Sequence, residues 1–208
     1  MPATAPLSTI RSEVAPGRLA DVQPPVFHAA GKEIYAQGEP ADRLYRVEFG
    51  AVRIYRLLAD GRRQISAFYL PGEVFGFEAD GSHHFFAEAV CATGLRSFAR
   101  ASGDEAPREH LDMALRCLVR AQEHLLVVGR QNAVERIAAF LLDMADRQGG
   151  LEQFDIAMSR SDIGDYLGLT IETVSRVLSR LRAEGVIRLV SLRTVEIVKP
   201  RALRALSA

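Results

Sequence analysis

Apolar and polar positions follow three different rhythms along this chain. From residue 26 to 101 the rhythm is short and glycine-punctuated. Residues 33–36, 44–48, 51–58, 64–69 and 88–91 read as strands, with turns at Gly38, Gly50, Gly61 and Gly72. Strands recurring about every ten residues predict an antiparallel sandwich or jelly roll. After Pro107 the period changes to alternating threes and fours. Leu111, Ala114, Leu118, Ala121, Leu125 and Val128 form a heptad stripe that ends at Asn132. A helix this long between two domains has no internal surface to cover its stripe, so a matching helix from a second subunit is expected to do so. Packing on the chain's own sheet is the alternative, and Asn132 is read as a register-fixing polar position. Residues 133–147 form another amphipathic helix, stopped by Gly149 and Gly150.

The third rhythm, residues 159–185, is two short helices meeting at Gly168. The first (161–167) puts Ile163 and Leu167 on one face, and the second (171–184) buries Val174, Val177, Leu178 and Leu181. Gly168 tolerates the positive φ of a sharp interhelical turn, and Gly164 leaves room where the helices cross. Thr170 suits the N-cap, with Leu169 stapled on Val174. Glu172, Thr173, Ser175, Arg176, Ser179 and Arg180 remain on the outer face. Carboxylate, hydroxyl and guanidinium at this spacing are the groups that read base edges in a major groove. Strands at 186–190 and 194–198, joined through Ser191, Leu192 and Arg193, make a wing, and residues 201–206 a brief last helix.

The expected fold is therefore α+β: a β-roll, a long pairing helix and a winged helix-turn-helix. The expected division is a loose leader at 1–25, with a short helix around 8–14, then 26–106, 107–131 and 132–208. With 208 residues, 48% hydrophobic and 25% charged, the composition is that of an ordinary globular protein. Net charge is zero, yet from Ile156 onward nine Lys/Arg stand against five acids. Such a local positive excess is the electrostatic footprint of a DNA-binding module. No apolar run approaches a membrane span and no signal pattern opens the chain, so a cytoplasmic protein is expected. Cys91 and Cys117 match no metal spacing and read as small buried hydrophobes.

Residues 31–56, GKEIYAQGEPADRLYRVEFGAVRIYR, and 162–187, DIGDYLGLTIETVSRVLSRLRAEGVI, resemble the CRP/FNR superfamily of bacterial transcription regulators, in its FixK-like and FNR-like subgroup. The resemblance implies a homodimer that activates transcription through RNA polymerase and binds double-stranded DNA at a TTGA-type inverted repeat. It assigns Glu172 to a cytosine, Ser175 to a neighbouring thymine and Arg176 to a guanine, in agreement with the chemistry of those side chains. Arg160, Ser161, Thr170, Thr173 and Arg180 are the candidates for phosphate contacts. The implied programme is low-oxygen respiration, denitrification or nitrogen fixation.

Cyclic-nucleotide-binding relatives carry a Gly-Glu pair for the ribose and an Arg-Ser/Thr-Ala triplet for the phosphate. Here the matching stretches are Phe75-Gly76-Phe77-Glu78 and His83 to Ala87, without that arginine. A cyclic phosphate buried without its guanidinium is strongly disfavoured. Two cysteines cannot hold an iron–sulfur cluster in four thiolates. No cofactor and no metal are expected. A haem-dependent nitric-oxide or redox-gas sensor is the alternative, with His83 and His84 its only prompt; neighbours on a strand face opposite ways. Phosphate loops, nucleophile elbows and paired metal motifs are absent from the sequence, so no enzyme is expected.

Overall fold

The structure, a computed structural model, describes residues 24–99, 108–129 and 132–207. Most of the expected leader, with its short helix, lies outside those residues. Two four-stranded antiparallel sheets pack face to face. One orders β1 (Val26–His28), β8 (Thr93–Ala99), β3 (Arg43–Phe49) and β6 (Val74–Phe75). The other orders β2 (Glu33–Tyr35), β7 (Phe86–Ala89), β4 (Val52–Leu57) and β5 (Arg63–Tyr69). Tyr35, Val52, Ile54 and Ala87 from the second sheet meet Val47, Phe75 and Leu95 from the first. The β-roll is thus the expected sandwich, and Gly38, Gly50, Gly61 and Gly72 all adopt positive φ at its turns. Strands β1, β6 and β8 were not anticipated. β8 begins with three consecutive buried residues, Thr93 to Leu95, so it carries no alternation to detect.

One irregularity in the second sheet organises the rest of the molecule. Ile54 pairs with Ala67 but Tyr55 pairs with Ile65, leaving Ser66 as an extra residue. Its hydroxyl donates to the Ile54 carbonyl at 3.2 Å. A bulge of this kind shifts the phase of the strand. Ile65 and Phe68, three positions apart, therefore both join a second core instead of facing opposite ways. There, with Ala51 and Leu70, they meet Ile137, Phe140, Leu141 and Met144 of α2 (Ala133–Arg147). The same core continues into α3 (Arg160–Leu167) and α4 (Ile171–Ala183), and to Leu203 of α5 (Pro200–Leu206). The β-roll and the helical module share one apolar interior.

The helix α1 (Arg108–Val128) has two faces. Cys117, Arg120, His124 and Val127 lie against the chain's own body. The Cys117 thiol points at the Val74 carbonyl (3.6 Å), and burial pushes its pKa up. The His124 ring stacks on Tyr166 with centroids 3.8 Å apart, and its Nε2–H donates to the Tyr166 carbonyl at 2.9 Å. On the other face Leu111, Leu118 (53% exposed), Ala121 and Leu125 are open to solvent, whereas Ala114 and Val128 are half-buried. Leu115, Val119 and Leu126 are exposed as well. The uncovered apolar strip is therefore broader than the heptad and displaced from it. Asn132 corrects the sequence reading. It is the N-cap of α2, accepting from Val134 N at 2.9 Å, and sets no register on α1.

Gly168 caps α3 in the left-handed region (φ 65°), donating its N–H to the Gly164 carbonyl. A Cβ on Gly164 would meet the Leu169 carbonyl oxygen at 2.6 Å, so only glycine lets the turn close over the helix. Gly164→Ala is expected to destabilise by about 1–3 kcal/mol, the reverse of the usual gain for alanine within a helix, as a drop in denaturation midpoint at constant slope. His124 yields a pH prediction. Burial holds its pKa below the ordinary 6.5, outweighing the bond to Tyr166. The unfolded chain then binds the proton more readily, so this stability contribution is present above pH 6.5 and lost as pH falls through the depressed value. Replacing His124 with Gln is expected to flatten the acid limb of the stability–pH curve.

Candidate nucleic-acid interface

The turn between α3 and α4 is fixed at both ends by side-chain caps. Ser159 opens α3 through a reciprocal capping box with Asp162. Thr170 opens α4, its hydroxyl accepting from Thr173 N at 3.2 Å. Val174, Val177, Leu178 and Leu181 fix the inner face of α4 in the core, as the spacing predicts, and half-buried Leu169 packs on the same cluster. The orientation of the outer face follows from that burial.

Glu172, Ser175 and Arg176 come together there, all exposed. Among the described residues none of the three engages in an ion pair. Glu172 lies in the first turn of α4, where the helix dipole favours a carboxylate. Such a group presents an acceptor, a hydroxyl and a five-donor fork within two helical turns, the inventory for reading base edges.

The expected phosphate contacts are less uniform. Ser161 is exposed at the start of α3. Thr170 and Thr173 spend part of their hydrogen-bonding capacity on each other, with hydroxyls 3.1 Å apart, and Thr173 is half-buried. Arg180 is exposed but ion-paired with Glu184, Nε to Oε1 at 2.7 Å. Arg160 is half-buried, and desolvation lowers its pKa. It lines a depression of about 540 Å³ with Arg182 and Arg193, two arginines that helical spacing alone did not single out.

The wing is β10 (Ile187–Leu189) against β11 (Thr194–Ile197), with Ile187 opposite Ile197. A third strand, β9 (Gln153–Asp155), pairs with β11 and was missed because only Phe154 of its three residues is buried. Ser191 Oγ accepts from Arg193 N (3.1 Å) and Thr194 N (2.9 Å). This tightens the tip and leaves Leu192 fully exposed beside Arg193.

The β-roll holds a second candidate, a cavity of about 270 Å³ between the sheets, α1 and α3. Tyr35, Tyr69, Phe75 and Phe85 line it, and burial raises the pKa of both tyrosines. Two guanidiniums reach it, and Glu73 holds both: Arg147 at 2.7 Å, with Arg120 on the other carboxylate oxygen. His83 is buried, its ring stacked on Tyr35 (3.5 Å) and 3.3 Å from Glu78, while His84 is exposed beside Asp80. The two histidine side chains diverge, although they lie before β7 (Phe86–Ala89) and not on a strand. No cluster of three or more potential metal-binding His, Cys, Asp or Glu side chains occurs among the described residues. Nor is any helix among them long and apolar enough to cross a membrane.

Comparisons with known proteins fall on the same two regions. Residues 25–99 match the cyclic nucleotide-binding domain family, and residues 135–206 match the Crp-like helix-turn-helix domain family. The chain is 60% identical to the nitrogen fixation regulation protein FixK of Rhizobium meliloti, over 85% of this chain and 83% of that one. It is 45% identical to the protein of the same name from Azorhizobium caulinodans, over 88% and 79% respectively. The solved structure of FixK2 from Bradyrhizobium japonicum superposes with a TM-score of 0.83 at 42% identity, covering 88% of this chain and 96% of that one. The helix-turn-helix, the β-roll order and these relatives agree: the chain belongs to the CRP/FNR family of DNA-binding transcription regulators, in its FixK-like branch.

Proposed function

We propose that two copies of this chain pair along α1 and place their α4 helices in successive major grooves of a TTGA-type inverted repeat. The observation that carries this reading is the unpaired Glu172, Ser175 and Arg176 face of a helix whose opposite side is locked in the core. Twofold pairing sets the two recognition helices about 34 Å apart, one turn of duplex. Residues 107–131 supply the pairing surface, 132–208 the DNA-reading module and 26–106 the regulatory roll. The exposed strip from Leu111 to Leu126 supports pairing, because an apolar surface of this size calls for a cover.

Arg160, Ser161, Thr170, Thr173 and Arg180 hold the phosphates, and Arg182 and Arg193 extend that set toward the wing. On DNA, Arg180 exchanges Glu184 for a phosphate. The protein acts in the cytoplasm, without catalysis, as an activator that recruits RNA polymerase. The names of the relatives point to nitrogen fixation genes, and the family resemblance to low-oxygen respiration and denitrification. A cyclic phosphate is not the signal in this reading, since Arg120 and Arg147 are already ion-paired, both with Glu73 and Arg147 with Asp143 as well.

Competition binding checks the whole reading: an inverted TTGA repeat is expected to outcompete random duplex, and equal competition would refute it. Glu172→Ala is expected to lose about 1–3 kcal/mol on the specific site and to relax preference at one base pair per half-site in a binding-site selection. An unchanged selection profile would remove Glu172 from base reading. Leu118→Arg is expected to shift the protein from dimer to monomer by light scattering, with circular dichroism retained. A persisting dimer would place the interface elsewhere.

A further inference from the structure

One carboxylate is shared between the two halves of this chain. Asp162 is 3% exposed and divides its two oxygens between two tasks. Oδ2 closes the cap of α3, accepting from Ser159 N (3.0 Å) and Ser159 Oγ (2.7 Å). Oδ1 receives two guanidiniums from the β-roll, Arg53 Nη1 at 3.0 Å and Arg63 Nη2 at 2.7 Å. Arg63 also bonds Asp165 Oδ2, through Nε at 3.0 Å and Nη2 at 2.8 Å. Gln64 donates to the Asp165 carbonyl at 2.7 Å. Arg53 is held from behind by an ion pair with Glu88, its cross-strand neighbour on β7.

The apolar core shared by roll and helices holds them together, but hydrophobic contact is non-directional and leaves the angle between them loosely specified. Charge-assisted hydrogen bonds are directional. The bonds from Arg53, Arg63 and Gln64 all end on α3, which is rigidly coupled to α4 through the glycine turn. At 1.5 Å per residue the thirteen residues of α4 make a lever about 20 Å long. A tilt of about ten degrees moves its tip by roughly 3 Å, close to one base-pair step.

We propose that Arg53 and Arg63 are positioning residues for DNA recognition: by gripping Asp162 and Asp165 they set the angle of the helix-turn-helix on the β-roll, and so the half-site spacing the dimer accepts. They touch no DNA themselves. This rests on the dimeric reading above, adding a determinant of specificity outside the DNA-binding module.

Arg63 is the residue to change, because Arg53 is more deeply enclosed and its loss would strip Glu88 of its ion pair and Asp162 of one of its two guanidiniums at once. The full-length protein is titrated with three duplexes: the inverted repeat at the spacing wild type selects, the same repeat with one base pair added, and a single half-site. For Arg63→Met, preference for the selected spacing is expected to fall by about fivefold or more while half-site affinity stays within about twofold, with Arg63→Lys recovering part of the preference. Unchanged spacing preference overturns the proposal, as does an equal loss on palindrome and half-site, which marks general destabilisation. Should Arg63→Met fail to fold, the milder Asp165→Asn serves, and intact spacing preference in that variant also overturns it. A wild-type protein that ignores the inverted repeat refutes the dimeric reading itself, whereas a spacing-selective wild type with an indifferent Arg63→Met refutes only the positioning role.

Discussion

The architecture depends on a buried acid that serves two structures at once. Asp162 completes the first turn of α3 and is the place where the β-roll takes hold of that helix. A charge this deep in protein is costly unless its lone pairs are filled, and here they are filled from both sides of the interface. The cap occupies Oδ2 and the roll occupies Oδ1, so the acid is satisfied in full only with the roll in place. Removing one partner of such a buried pair costs about 3–5 kcal/mol, more than most surface contacts contribute. Local helix geometry and domain arrangement are therefore coupled through one side chain.

The bulge at Ser66 makes that coupling possible. Without the extra residue, Ile65 and Phe68 would face opposite ways, and the second sheet would present the helices with half its apolar surface. With it, the roll offers a hydrophobic floor beneath α2 and α3, rimmed by Arg53 and Arg63. The recognition helix then inherits its orientation in two steps, from floor to α3 and from α3 across the Gly168 turn to α4.

How much of this was legible in the sequence follows from the range of each interaction. Caps, turns and amphipathic faces are local, so α2 falls on the expected residues and Gly164, Gly168 and Thr170 hold the places their chemistry indicates. The shared exposed face of Glu172, Ser175 and Arg176 was legible for the same reason, since helical spacing determines which side chains lie together. Long-range features were not. Nothing beside Asp162, Arg53 or Arg63 in the sequence announces that they meet across 109 and 99 residues. The heptad on α1 was visible, but its displacement toward Leu115, Val119 and Leu126 depends on how far the chain's own body covers Ala114 and Val128. Asn132 looked like a continuation of that stripe because sequence spacing is blind to where one helix ends and the next is capped.

Glu73 bears on what the interior of the roll can admit. By clasping a guanidinium from α1 and another from α2, with Asp143 also on Arg147, it commits both cations that reach the neighbouring aromatic-lined chamber. An anionic visitor would have to evict a resident carboxylate before finding a counter-charge, whereas an uncharged, oily molecule would meet no such competitor. The cations of this chamber thus serve the packing of α1 and α2 on the roll.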